Sequence, residues 1–192
     1  ALEGYFKTEN KKQFNNDSLQ LLFVGVLYPH KNVNKLIEFV KNMILNNKNI
    51  NLQIVGDGIE FNKLQKQIQK ENMGKYIKLT GNIPEEKLKK QFDSCDIYVT
   101  ASSHEMLDMP AIEAMSMQKP VLLSDLPAHN ELIENSKGGI IFNPENPKDF
   151  YNKLEEIIGK KEQFSHNGRK FAEENDWDKI TKKIINIYNE LI

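Results

Sequence analysis

The sequence is poor in the residues that mark several function classes. It has one cysteine, Cys95, which rules out an internal disulfide. With no Cys or His neighbours at metal-ligand spacing, Cys95 gives no structural zinc site and fits a reducing compartment. No apolar run approaches the ~20 residues of a membrane span; the stretch Ile37 to Leu45 is broken by Glu38, Lys41 and Asn42. Charge of one sign is not in excess. Lys plus Arg number 26 against 27 Asp plus Glu, a net charge of -1, so bulk attraction to nucleic acid or an anionic membrane is absent and no nucleic-acid partner is expected. The first strand is not followed by G-x-G-x-x-G, which argues against a dinucleotide-dependent redox enzyme. The sequence begins at Ala1 without an initiator Met or an apolar signal region and is read as a piece of a longer protein.

What is present is enough apolar residue, 39% of 192, for one sizeable core. Residues 1–18 are polar and Asn-rich, with aromatics at Tyr5, Phe6 and Phe14 and no clear period, and read as a linker or edge segment. From residue 19 to 192 a single domain is expected. Its first apolar run, Leu21 to Val24, precedes a helical pattern over Val33 to Leu45. The unit recurs as Leu52 to Val55 before a helix near Ile59 to Glu71, and as Ile77 to Leu79 before a helix starting at Pro84. It recurs again as Ile97 to Val99 before a helix from Met109, Val121 to Leu123 before one from Pro127, and Gly139 to Phe142 before one from Pro147. Short apolar strands alternating with amphipathic helices give an α/β fold, a doubly wound Rossmann-like parallel sheet of about six strands followed by C-terminal helices. A last stripe, Trp177, Ile180, Ile184, Ile187, Tyr188 and Leu191, has helical spacing and should pack on something.

In such folds ligands bind at the carboxyl ends of the strands, near helix N-termini whose free amides attract phosphate. The loop after the fourth strand carries two carboxylates, Glu105 and Glu113, the second about one turn inside the helix that Met109 and Pro110 begin. A carboxylate can accept two hydrogen bonds from adjacent sugar hydroxyls. The amides of Met106, Leu107, Asp108 and Met109 could hold a phosphate between them. Spacing alone also fits a helix-capping acid beside a solvated one. Lys31 is either a point charge for a phosphate or an ordinary solvated lysine. His104 fits a donor ligand and an exposed loop histidine equally. His129 and His166 fall on helices and read as surface residues, Cys95 as a small buried residue at a helix end, and the Met series as packing. No carboxylate cluster points to a divalent metal.

Met109-Pro-Ala-Ile-Glu-Ala-Met115 and Lys119-Pro-Val121, with Glu105 upstream, resemble the E-x7-E signature of the retaining glycosyltransferases of family 4. Ser124-Asp-Leu-Pro-Ala-His-Asn-Glu-Leu132 is similar to the segment that follows it there. Val24-Gly-Val-Leu-Tyr-Pro-His-Lys-Asn32 resembles the opening of the family's nucleotide domain, Leu52-Gln-Ile-Val-Gly-Asp-Gly58 its second strand and turn, and Gly81-Asn-Ile-Pro84 its loop beside the base. The resemblance spans about Leu19 to Leu191. It implies one half of a GT-B fold, the C-terminal donor-binding domain, with the N-terminal acceptor domain absent from this chain.

By the same resemblance the substrate is a GDP- or UDP-linked sugar, transferred with retention of anomeric configuration to an acceptor glycan or lipid-linked glycan in surface polysaccharide synthesis. Glu105 would bind the hexose hydroxyls and Glu113 the ribose hydroxyls. Lys31 would meet the diphosphate, Gly25 would allow close backbone approach, and Ile83 would lie beside the base. No metal or other cofactor is implied. The expected location is cytoplasmic, with peripheral contact at the inner face of the membrane through the missing domain. The chain departs from the pattern at Val26 and His30, where Arg is frequent, at Met106, where Gly is usual, and at Asp108, whose charge would repel a phosphate unless it points away. These departures leave a non-catalytic nucleotide-sugar-binding or scaffold module as the alternative.

Overall fold

A computed structural model describes residues 18–190; the proposed linker, apart from Ser18, and Leu191 lie outside them. Six strands, β1 (Leu19–Val24), β2 (Ile50–Val55), β3 (Ile77–Leu79), β4 (Ile97–Thr100), β5 (Val121–Ser124) and β6 (Gly139–Phe142), form one parallel sheet in the order β3-β2-β1-β4-β5-β6. The helices are α1 (Val33–Leu45), α2 (Phe61–Lys70), α3 (Glu85–Ser94), α4 (Met109–Ser116), α5 (Pro127–Ser136), α6 (Pro147–Gly159), α7 (Lys161–Glu174) and α8 (Trp177–Glu190). The doubly wound α/β architecture expected from the periodicity is therefore present. Strands begin or end up to two residues beyond their apolar cores, and α2 starts at Phe61 because Gly58 and Ile59 belong to the preceding turn.

Side chains alternate across the pleat, which divides the core into two layers. Leu21, Phe23, Leu52, Ile54, Ile97 and Val99 face α1, α2 and α6. Leu22, Tyr98, Val121 and Leu123 face Phe92 of α3, Ala111, Ala114 and Met115 of α4, and Ala172 of α7. Phe150 of α6 anchors the first layer, stacked on Phe39 at 4.9 Å between ring centroids and edge-on to Phe142 at 5.1 Å. Full burial of one such ring contributes about 1.5–3 kcal/mol.

Between the two halves the strand order reverses, with β1 and β4 paired through Leu21–Ile97 and Leu22–Tyr98. Beside them β1 runs in register with β2 from Leu19–Ile50 to Val24–Val55. At the end of β2 the backbone turns at Gly56 with φ 137°. A Cβ there would fall 1.9 Å from Gly25 O, so the glycine is required by both conformation and space. The loops that leave β1 and β4 diverge from this junction.

One expectation, the surface place of His129, fails, and the stripe of α8 has no buried residue among the described residues. Helix α8 forms where the apolar stripe predicts it; Trp177 is 52% exposed, and Ile184, Ile187 and Tyr188 are exposed with it. A 3.6-residue stripe specifies a helix and a face, not a partner within the same chain. His129 is not on the surface; it is fully buried in α5 beneath β5. Its helix turns one face, His129, Leu132 and Ser136, inward. Among the described residues, no helix is long and apolar enough to cross a membrane.

Candidate functional site

The chain folds the loops after β1 and β4 against each other. The first runs from Gly25 into a short 3-10 turn, Pro29–Lys31, which Pro29 favours by fixing φ at its first position. The turn ends on Asn32 in the left-handed region, φ 48°, a conformation Asn tolerates better than most residues. Asn32 Nδ2 donates to Ala101 O at 3.1 Å, and the Ser103 amide and hydroxyl donate to His30 O at 2.7 and 3.2 Å. Ser102 O in turn accepts from the Ser124 hydroxyl at 2.6 Å. The ends of β1, β4 and β5 are thus stitched together across the reversal point.

These bonds bring Lys31 against Glu105 although 74 positions separate them. The two side chains form a direct ion pair, and Glu105 is only 10% exposed. Excluding water from one side strengthens such a pair relative to a surface contact.

Glu113 lies in α4, one turn from its start, half-buried. Burial, followed by the negative charges of Asp108 and Glu85, pushes its carboxyl up to about 7. A group so placed gives up or takes a proton near neutrality and gains from any hydroxyl that can hydrogen-bond its charged form.

Asp108, expected as a possible source of repulsion, turns inward. It is buried and N-caps α4, accepting from Ala111 N at 3.2 Å. The buried Tyr98 hydroxyl donates to the same carboxylate at 3.2 Å. Burial and the nearby Asp108, Glu105 and Glu113 charges push that phenol well above its usual range. On the far side His129 Nε2 stands 3.4 Å from Asp108 Oδ2, at ion-pair distance but without a hydrogen bond. His129 Nδ1 is 2.8 Å from Ser124 O.

The remaining candidates are less engaged. Met106 is 90% exposed and Leu107 is exposed beside it, while His104 is exposed in the same loop. The Met109 amide bonds Leu107 O at 3.2 Å, so it is used within its own turn. Ile83 packs at the edge of the second core layer, and Gly25 lies at the end of β1 with its amide bonded to Val55 O at 3.0 Å. Val26 and Tyr28 are exposed. Sequence reasoning misses Tyr98 and takes His129 for a surface residue. The available signal was the spacing of His129, Leu132 and Ser136 at i, i+3 and i+7, which marks one face of a helix.

Cys95 is buried, as expected, and its thiol is pushed up to about 12 mainly by desolvation. His166 is exposed. Among the described residues no group of three or more His, Cys, Asp or Glu side chains is arranged to hold a metal ion.

The chain is 28% identical over 173 residues to an uncharacterized glycosyltransferase of Methanocaldococcus jannaschii, covering 88% of this chain and 48% of that protein. Its fold is similar to that of S. aureus TarM, solved with Fondaparinux, alpha-GlcNAc-glycerol and UDP, at a TM-score of 0.80 and 22% identity, covering 95% of this chain and 38% of TarM. It is also similar to Anabaena HepE, solved with UDP and glucose, at a TM-score of 0.79 and 20% identity, covering 91% of this chain and 49% of HepE. The chain spans no more than about half the length of the relatives it matches. The model of the glycosyl transferases group 1 family matches residues 6–171, and the chain belongs to that family.

Proposed function

We propose that this chain is the donor-binding half of a glycosyltransferase that moves a sugar from a nucleoside diphosphate to an acceptor with retention of anomeric configuration. The observation that carries the reading is the convergence of Lys31, Glu105 and Glu113 on the reversal point between β1 and β4. In open parallel sheets that crevice receives the ligand. In this reading Glu113 accepts the ribose hydroxyls and Glu105 the hexose hydroxyls. Lys31 sits between sugar and diphosphate, where leaving-group charge develops as the glycosidic bond breaks. Before the donor arrives, Glu105 and Lys31 neutralise each other; the sugar hydroxyls and the phosphate then offer each a new partner. Fixed protein charge takes the place of a metal ion.

The acceptor, a glycan or lipid-linked glycan of a surface polysaccharide, would meet a second domain facing these loops. The exposed apolar stripe of α8 is available for packing in such an assembly. The donor base is guanine or uracil.

Titration calorimetry with GDP and UDP tests the reading. One of them is expected to bind, and E113A should weaken that binding about tenfold or more, since a lost hydrogen bond to a charged group costs about 1.5–3 kcal/mol. No binding of either nucleotide, or an affinity indifferent to E113A, would refute the assignment.

A further inference from the structure

We propose that His129 and Asp108 hold one proton between them, and that this proton lets a carboxylate cap α4 without repelling the donor's diphosphate. The inference rests on the donor-site reading above and adds to it a positioning residue, His129, that touches no ligand.

His129 is fully buried in α5. Its Nδ1 lies 2.8 Å from Ser124 O, a carbonyl that can only accept, so Nδ1 carries a hydrogen. The Ser124 hydroxyl beside it is committed to Ser102 O at 2.6 Å. Nε2 then faces Asp108 Oδ2 at 3.4 Å with no hydrogen-bond partner of its own. If Nε2 and the carboxylate were both bare, two lone pairs would oppose each other in a buried site, an arrangement that low dielectric penalises heavily. One proton on either atom removes the conflict, and in both placements the pair has no net charge. Ala111 N and the Tyr98 hydroxyl also donate to Asp108, but both are uncharged and cannot balance it.

The charge matters because of what surrounds it. Glu105, Asp108 and Glu113 all act electrostatically on Tyr98, so three acids converge at the end of β4. An anionic ligand can enter only if their charge is offset. Glu105 is offset by Lys31, and the Glu113 carboxyl is pushed up to about 7 by burial and its acidic neighbours, which disfavours its charged form. His129 is the counterpart for Asp108. Losing it would add a full negative charge at the helix end where the macrodipole would otherwise favour phosphate.

The test uses two variants. H129N keeps a donor able to face Ser124 O, and H129Q keeps an N–H able to face Asp108; both remove the imidazole that shares the proton. Each is titrated with whichever of GDP or UDP the unsubstituted chain binds, and with the corresponding free nucleoside. The diphosphate is expected to bind about tenfold more weakly to either variant, the nucleoside about as before, from an uncompensated charge several ångströms away. Adding D108N to H129Q should restore diphosphate affinity. Equal loss for nucleoside and diphosphate would mean a merely structural role and overturn the proposal, as would unchanged diphosphate binding or failure of D108N to rescue. If the unsubstituted chain binds neither nucleotide, the donor-site reading itself falls and this inference falls with it.

Discussion

The two ends of β4 carry similar chemistry put to different uses. At its start, Asp96 accepts from the Gln20 amide at 2.8 Å and pairs with Lys161 at 2.9 Å. The strand, its neighbour and α7 are thereby joined, and the carboxylate's oxygens are occupied. At its end, Glu105 holds Lys31 and Asp108 holds Tyr98, while Glu113 has burial and two acidic neighbours to contend with. Acids at the first end are satisfied by the fold. At the second, Glu105 and Asp108 have partners but Glu113 is raised by burial and acidic neighbours, and such a carboxyl at a sheet's carboxyl edge is what a polar ligand can complete.

Substitutions at either end separate these uses. The largest expected effect is D96N: loss of one member of a largely buried pair should destabilise the chain by on the order of 3 kcal/mol in denaturant unfolding, with nucleotide affinity unchanged. A drop in affinity as large as the drop in stability would erase the distinction. Next is E113Q, read as stability against pH. Because the fold raises this acid, its stabilising protonated state is complete below about 4.5 and is lost as pH rises through about 7. At pH 8 the glutamine variant should therefore be more stable than the parent by on the order of 1–2 kcal/mol, discounted for partial solvent access, and the gain should vanish at pH 4. The smallest is K63A. It breaks the exposed Lys63–Glu60 contact of 2.8 Å and should cost about 0.3–0.5 kcal/mol with no effect on ligand binding.

Much of the architecture was legible because its signals are local. Short runs of three or four residues separated by periodic helices marked all six strands, and Met109-Pro110 and Pro127 placed the starts of α4 and α5. The carboxylates of the candidate site were legible as a motif, and the position of Glu113 inside α4 followed from helix geometry. The bond between Glu105 and Lys31 was not, because no spacing rule joins residues 74 apart. Asp108 looked like an obstacle to phosphate for a related reason. Its sign is written in the sequence, but its direction is set by Tyr98 and by the free amide of Ala111. What covers the stripe of α8 was illegible because helical spacing marks a face and not what packs on it.

The bonds from Asn32 to Ala101 and from Ser103 to His30 have a practical bearing on redesign. They make residues 30–32 and 101–105 one inheritance: a loop taken from a relative at either place would arrive without its mate, and Lys31 and Glu105 would lose their registration. Val26 and Tyr28 are free of that bond and point to solvent. They are positions where a library of side chains could vary the exposed surface near Lys31 while leaving the bonds between the two loops intact.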